Sequence, residues 1–136
     1  MVYSLQLNNK TNNDMSFREE FKLGVKEFGG YIKRIYPEVK TLFLSELNDV
    51  ISIDMIEVER DKRKQGVGAS VMRALVLYAD ANNKTLEALP GLKDDRRGTT
   101  SRGRLVNFYK SFGFVENKGR NKDFSKKAGG MYRTPK

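Results

Sequence analysis

The sequence predicts an α/β (α+β) domain in which three to four helices cover a mixed, mostly antiparallel sheet of six to seven strands. Several short stretches alternate apolar and polar residues, as strands do. Residues 69–81 carry apolar side chains at the helical period, which predicts an amphipathic helix. Apolar strands precede and follow that helix, which predicts a βαβ unit with parallel strands and a right-handed crossover. With 136 residues, we expect one domain spanning residues 1–136.

The N-terminal part predicts a strand and then a helix. Residues 2–7 alternate apolar and polar side chains. Asp14 or Ser16 is a suitable N-cap for a helix over residues 17–28. The apolar face of this helix consists of Phe17, Phe21, Val25 and Phe28. A Gly-Gly pair at positions 29 and 30 is expected to end it.

Three further strands are predicted in the first half of the chain. Residues 31–36 end at a proline, residues 39–47 have an apolar centre, and residues 50–58 follow an Asn-Asp turn. Because tight turns join neighbouring strands in antiparallel order, we expect these three to form a meander.

Residues 58–69 are the segment around which the chain is organised. An apolar strand runs here into a basic, glycine-containing turn and then into a helix. Backbone N–H groups at such a helix N-terminus suit a phosphate or pyrophosphate. A P-loop is excluded because no Lys-Ser/Thr pair follows the glycines, and Val71 stands where a dinucleotide fingerprint needs its third glycine. The simplest alternative is a turn whose glycines only permit tight geometry.

The last third contains shorter predicted elements. They are a strand over residues 85–89, a polar loop over 92–103, a helix over 104–112 ended by Gly113, a strand over 114–116, a basic, turn-rich segment over 117–127, and a strand over 131–134.

Residues 1–90 contain 13 basic and 13 acidic residues, whereas residues 91–136 contain 13 basic and 4 acidic residues. The whole net charge of +9 therefore lies after residue 90. It indicates an acidic partner, nucleic acid or an anionic cofactor, unless it only aids solubility.

Composition excludes several kinds of chemistry. The chain contains no cysteine and no histidine, which removes disulfides, thiolate and Ser-His-Asp catalysis, zinc fingers and most transition-metal sites. We therefore expect no metal. The sequence has neither an apolar run long enough to span a membrane nor a signal-peptide pattern, so we expect a cytoplasmic protein.

Two segments resemble motifs of the GNAT superfamily, the Gcn-related N-acetyltransferases. The run from Arg63 to Ala69, RKQGVGA, resembles its motif A, [QR]-x-x-G-x-[GA]. The run from Leu105 to Phe114, LVNFYKSFGF, resembles its F-Y-x-x-x-G-F helix-to-strand segment. The strand residues around Ile53 are also similar to compact phage-encoded members. The resemblance implies the GNAT fold, with a βαβ unit that binds acetyl-CoA.

The resemblance also implies which residues contact acetyl-CoA. The strand before the glycine turn splays from the next parallel strand, and the pantetheine lies in the gap. Main-chain groups of Met55, Ile56, Glu57 and Val58 would pair with it, and the N–H of Ile56 would polarise the thioester carbonyl. The pyrophosphate would lie against Arg63, Lys64, Gln65, Gly66, Val67, Gly68 and Ala69. Arg102 stands where many members carry an asparagine, so Asn107 is included as a candidate contact although its spacing differs.

By the same resemblance, Tyr109 donates a proton to the departing CoA thiolate, unless it is only a packing residue. The usual position of the catalytic carboxylate falls near Ser52, which is no base. Asp54 lies two residues on, and an aspartate in an apolar strand is costly to bury without a task, so it is the candidate base. Asp54 could instead have a structural role, and Glu57 or Glu87 could be the base. A further alternative is attack by a neutral amine through water, which needs no dedicated base.

The expected activity is acetyl transfer from acetyl-CoA to a primary amine by direct attack in a ternary complex. The basic last third favours a protein lysine or N-terminus, or another macromolecular or acidic acceptor. A different interpretation is a non-catalytic CoA- or nucleic-acid-binding regulatory module on a GNAT scaffold, including a phage-encoded inhibitor of host defence that acts in the host cytoplasm. A monomer or a homodimer is expected.

Overall fold

The structure is a computed structural model that describes residues 18–59, 66–90, 102–126 and 130–136. The helices are α1 (Val25–Ile35), α2 (Val67–Ala81) and α3 (Arg102–Lys110), with short 3-10 helices at Glu19–Lys22 and Gly119–Asn121. The strands are β1 (Val39–Leu47), β2 (Val50–Val58), β3 (Thr85–Ala88), β4 (Val115–Glu116) and β5 (Met131–Arg133). The predictions for residues 2–7, for the caps Asp14 and Ser16, and for the loop before residue 102 lie outside the described residues.

The strands form one mixed sheet in the order β1-β2-β3-β5-β4. Strands β2 and β3 are parallel, and the other neighbours are antiparallel. The described residues therefore give an α+β fold with five strands and three helices, as predicted in class. The prediction of six to seven strands is not confirmed within the described part of the chain.

The prediction around the Gly-Gly pair was wrong. Residues 31–36 do not form a strand, because α1 runs through Gly29 and Gly30 to Ile35. The buried residues Val25, Phe28 and Ile32 recur at helical spacing across the pair, so burial of this face outweighs the low helix propensity of glycine. Gly29 is itself buried, and a Cβ there would lie 3.5 Å from Leu44 Cδ1 on β1. The glycine thus allows α1 to pack closely on the sheet.

The start of the predicted first helix was also wrong. A 3-10 helix ends at Lys22, and Leu23 and Gly24 are extended before α1 begins at Val25. This break is held by helix α2. The Tyr78 hydroxyl donates to the Leu23 carbonyl at 2.5 Å, and Asn82 Nδ2 donates to the Phe21 carbonyl at 2.9 Å. Tertiary hydrogen bonds therefore replace the helical ones that the sequence pattern predicted.

The predicted βαβ unit is confirmed. Helix α2 follows β2, and β3 returns parallel to it. The buried residues of α2 are Val71, Met72, Leu75, Tyr78 and Ala79, which follow the helical period predicted for residues 69–81. Helices α1 and α2 pack together, with the Phe28 and Tyr78 rings stacked at 4.1 Å between centroids. No helix in the described part of the chain is long and apolar enough to cross a membrane.

Arg133 on β5 joins the C-terminal parts of two helices. Its guanidinium forms two bonds to the Asp80 carboxylate of α2, at 2.7 and 3.2 Å, and its Nε donates to the Phe112 carbonyl after α3 at 2.9 Å. The Arg133 side chain is only 6% exposed. A paired buried guanidinium therefore fixes α3 against α2 and the sheet.

Candidate functional site

Strands β2 and β3 separate partway along β2. Their pairing runs from Val50 opposite Thr85 to Ile53 opposite Ala88, where β3 ends, whereas β2 continues to Val58. We call the place where this pairing ends, at Ile53 and Ala88, the fork. A β-bulge lies at the fork, because Leu44 of β1 pairs with Ile53 and the preceding Phe43 pairs with Met55. Asp54 is thus the extra residue on β2. A bulge bends and twists its strand, so β2 is distorted where its pairing with β3 ends.

Helix α2 follows β2 in the chain, with Gly66 as its N-cap. Gly66 has φ +80°, a left-handed conformation that favours glycine, and no atom of the described residues lies within 4 Å of where its Cβ would be. Its carbonyl accepts the first helical hydrogen bond, from Ser70 N. The N–H groups of Val67, Gly68 and Ala69 belong to the first turn, where no acceptor within the helix is available to them. They therefore carry the partial positive charge of the helix dipole.

Helix α3 brings the second sequence motif to the same place. A Cβ at Gly68 would lie 4.0 Å from Phe108 Cζ, so the Phe108 ring adjoins the first turn of α2. The next residue, Tyr109, is 7% exposed and packs against Phe108 and Phe114, with centroids 5.6 and 5.2 Å away. Burial raises the pKa of the Tyr109 phenol above its usual value. Its hydroxyl hydrogen-bonds to no residue that the structure describes. A buried, protonated phenol is suited to donate a proton.

The carboxylates near the fork differ in exposure. Asp54 is exposed, so the argument that it is costly to bury was wrong. Glu57, farther along β2, is half-buried. Glu87 on β3 is 9% exposed, and its Oε1 accepts a hydrogen bond from Ser52 Oγ at 3.0 Å. The Glu87 carboxylate of β3 therefore lies next to Ser52 of β2, the position near which the GNAT resemblance places the catalytic carboxylate.

The Ser52–Glu87 pair was missed as a unit from the sequence. Each is a polar residue within an apolar strand, and they become neighbours once β2 and β3 are aligned in parallel from their first residues. Glu87 also lies opposite Tyr132 of β5 in the sheet register. The contact between Ser52 and Glu87 could therefore have been predicted by aligning the two strands, but not from any sequence motif.

Other predicted contacts are described less completely. Arg63, Lys64 and Gln65 lie outside the described residues. Asn107 is exposed on α3, and Arg102 is its first residue, with Nη1 3.9 Å from a Glu116 oxygen. Among the described residues there is no cluster of three or more side chains of the kinds that hold a metal ion.

A separate cavity of about 380 Å³ lies between the first 3-10 helix, α1 and α2. Its lining includes Phe21, Tyr31, Tyr36 and Leu77, and it contains none of the residues predicted for the site. This cavity is therefore distinct from the place where the pairing of β2 with β3 ends.

Comparison with protein-family models and with curated proteins gives no match. The anti-CRISPR protein AcrVA5 aligns with a TM-score of 0.51 at 22% identity, over 68% of this chain and 87% of that one. The ribosomal-protein-S18-alanine N-acetyltransferase from Escherichia coli aligns with a TM-score of 0.50 at 19% identity, over 68% of this chain and 59% of the enzyme. Ard1 from Thermoplasma volcanium aligns with a TM-score of 0.48 at 20% identity, over 85% and 82% of the two chains. The first two of these proteins, with TM-scores of 0.51 and 0.50, are GNAT acetyltransferases. The chain therefore has the GNAT fold.

Proposed function

We propose that this protein is an N-acetyltransferase that moves an acetyl group from acetyl-CoA to a primary amine, within a single domain. The observation that carries the proposal is the fork between β2 and β3, which is followed in the chain by the first turn of α2 with a glycine as its N-cap. Tyr109 supports it, because the neighbouring Phe108 connects its helix to that turn. The acetyltransferase neighbours agree in fold.

The residues present fit acetyl-CoA as a substrate. Beyond Ile53, β2 runs on past the end of β3, so main-chain groups of Met55, Ile56, Glu57 and Val58 would pair with the pantetheine. The first turn of α2, where no described atom lies within 4 Å of the Cβ position of Gly66, would receive the pyrophosphate. Arg63, Lys64 and Gln65 would add charge and hydrogen bonds there, and Asn107 would be a peripheral contact.

The reaction needs little from the protein besides position and proton transfer. The amine nitrogen forms a bond to the thioester carbon, the carbon–sulfur bond breaks, and the amine loses a proton while the CoA sulfur gains one. We assign the proton donation to the Tyr109 hydroxyl and polarisation of the carbonyl to the Ile56 N–H.

Two carboxylates are proposed to accept the amine proton, Asp54 and Glu87. Asp54 is at the bulge and exposed, whereas Glu87 is held by the Ser52 hydroxyl at the closed end of the fork. The Ser52 hydrogen bond favours Glu87, acting through a water molecule, because it fixes the orientation of the carboxylate. We expect Glu87→Gln to lower kcat/KM by about tenfold or more, whereas Asp54→Asn has a smaller effect. The reverse order would assign the base to Asp54.

The acceptor is proposed to be a protein amine or another acidic or macromolecular amine. The charge of +9 after residue 90 favours an anionic partner over a polyamine. One neighbour is described as an alanine N-acetyltransferase of a ribosomal protein, and another as an anti-CRISPR protein, which agrees with a protein acceptor.

Calorimetric titration with acetyl-CoA tests the proposal. Wild-type protein should bind, and Gly68→Val should weaken binding about tenfold or more by filling the space between α2 and Phe108. Gly30→Ala on α1 is the matched control, because a Cβ there meets only the end of the Arg34 side chain at 3.7 Å. No binding at millimolar acetyl-CoA would overturn the proposal. Binding without thiol release from any amine would instead support a non-catalytic CoA-binding module.

A further inference from the structure

Residues 117–126, the basic loop, connect β4 towards β5 and are fixed by a buried asparagine. Asn117 is 3% exposed, and its Nδ2 donates to the carbonyls of Asp123 and Lys126 at 3.2 and 3.3 Å. Its Oδ1 accepts from Asp123 N at 2.7 Å. One side chain therefore satisfies three backbone groups of the loop. Such a network specifies a single loop conformation.

Further hydrogen bonds fix both sides of the basic loop. The Tyr132 hydroxyl of β5 donates to the Asn121 carbonyl at 2.5 Å. The Asp123 carboxylate accepts bonds from the backbone N–H and hydroxyl of Ser125, at 2.9 and 2.6 Å, and lies 3.4 Å from Lys126 Nζ. The acidic group of the basic loop is thus already engaged within it.

This fixed loop presents one aromatic ring to solvent. Phe124 is 90% exposed, compared with 76% for Leu47 and 60% for Phe43. Lys122 Nζ lies 5.4 Å from the centroid of the ring. An ordered loop that keeps a phenylalanine out of the core forgoes the free energy of its burial, which indicates that the ring is used for binding.

The segment that leads to the exposed ring is positively charged. Lys118, Arg120 and Lys122 are all exposed in the basic loop. Lys118 lies 3.5 Å from Glu116 and shares that carboxylate with Lys110, whereas no described acidic group engages Arg120 or Lys122. The surface therefore combines an exposed aromatic ring with cations that precede it in the sequence.

We propose that the basic loop binds single-stranded nucleic acid, with a base stacked on Phe124 and phosphates held by Arg120 and Lys122. An isolated ring with no apolar rim in its own loop gives a protein partner little surface to cover. A nucleotide supplies a π face and a phosphate together, which matches the ring and the cations. In a duplex the bases are already stacked on one another, so a single strand is favoured. The inference is independent of the proposed acetyltransferase activity.

Fluorescence anisotropy of the full chain with labelled oligothymidylate and oligouridylate of about 15 nucleotides tests the proposal. We expect binding at low salt, a loss of about tenfold in Phe124→Ala, and affinity within about twofold of wild type in Phe124→Tyr, which keeps a stacking ring. Lys122→Gln should weaken binding and lower the slope of log affinity against log salt by about one. The control is Lys33→Gln, which makes the same charge change at an exposed position of α1 and should have little effect on oligonucleotide binding. The two oligonucleotides distinguish DNA from RNA.

Three results would overturn the proposal. One is the absence of oligonucleotide binding at low salt. Another is an affinity that does not change in Phe124→Ala, or that falls equally in Lys33→Gln and Lys122→Gln. In either case the interaction would be general charge attraction. The third is binding of polyglutamate that equals oligonucleotide binding and also depends on Phe124, which would indicate an acidic protein partner. Since Phe124 is exposed, its replacement should not change the melting temperature, and a thermal melt verifies this.

Discussion

Tyr109 and Phe124 are aromatic residues of the same basic third, and their surroundings are opposite. Tyr109 is 7% exposed between two aromatic rings, whereas Phe124 is 90% exposed on a loop fixed by hydrogen bonds. Helical spacing buries the first, and the Asn117 network keeps the second in solvent. The contrast matches the two roles that we propose, proton donation by the buried tyrosine and contact with a partner through the exposed phenylalanine. The predictions below separate these two roles.

The largest effect is expected for Tyr109→Phe, assayed as thiol release from acetyl-CoA with a lysine-containing peptide library. If the phenol donates a proton to the leaving thiolate, kcat should fall by about a hundredfold or more. Oligonucleotide binding should persist, because the basic loop is unchanged. Tyr36→Phe is the matched control, since this half-buried tyrosine at the end of α1 lies outside the proposed site. An equal loss in both variants, or a loss below about threefold in Tyr109→Phe, would make Tyr109 a packing residue.

The next effect concerns the attachment of α3. Arg133→Met leaves the Asp80 carboxylate without its guanidinium and removes the bond to the Phe112 carbonyl. We expect a loss of about 3 kcal/mol in the free energy of unfolding, measured by urea denaturation. Acetyl transfer should fall more than oligonucleotide binding, because α3 carries Tyr109 while the basic loop keeps its own network. A loss of less than about 1 kcal/mol would show that packing alone fixes α3.

The candidate site around Tyr109 and the basic loop also differ in how much of their structure the sequence predicts. The strand–turn–helix segment and the Phe108–Tyr109 helix were predicted, because apolar periodicity and glycine positions are local signals. Helix α1 was assigned partly as a strand, because tertiary burial of Phe28 and Ile32 outweighs the local preference of Gly29 and Gly30.

Contacts between distant segments could not be predicted from local patterns. The Ser52–Glu87 hydrogen bond depends on the alignment of two strands that are far apart in sequence. The exposure of Phe124 depends on which carbonyls Asn117 meets, and nothing in the run of Lys, Arg and Asn specifies that. Residue types therefore identified the candidate site, and only the three-dimensional structure identified its neighbours.

A moderate effect is expected for Asn117→Ala. The substitution removes the partners of one N–H and two carbonyls in the basic loop, so stability should fall by about 1–3 kcal/mol. Oligonucleotide affinity should also fall, because Phe124 is no longer held in place. Asn121→Ala is the matched control, since that side chain is exposed and the backbone carbonyl that accepts from Tyr132 is retained. If affinity survives in Asn117→Ala, the network is not what presents the ring.

The smallest effect is a change in stability at high pH, and it tests the burial of Tyr109 directly. Burial raises the pKa of the Tyr109 phenol above the value of about 10 expected in the unfolded chain. Below that pH both states keep the proton, so the contribution of Tyr109 to stability is complete. Above it the unfolded chain releases the proton first, and stability is lost as pH rises through the folded pKa.

Melting temperatures between about pH 9 and pH 11 measure this loss. Burial also raises the pKa of Tyr31 and Tyr78, so Tyr109→Phe should reduce the decline of the melting temperature without abolishing it. Phe124→Tyr is the control from the other region, because a phenol at that exposed position would ionise alike in both states and leave the decline unchanged. An identical decline in wild type and Tyr109→Phe would mean that the phenol meets water in the folded protein. Tyr109 would then resemble Phe124 in exposure, and the contrast on which the division of roles depends would be lost.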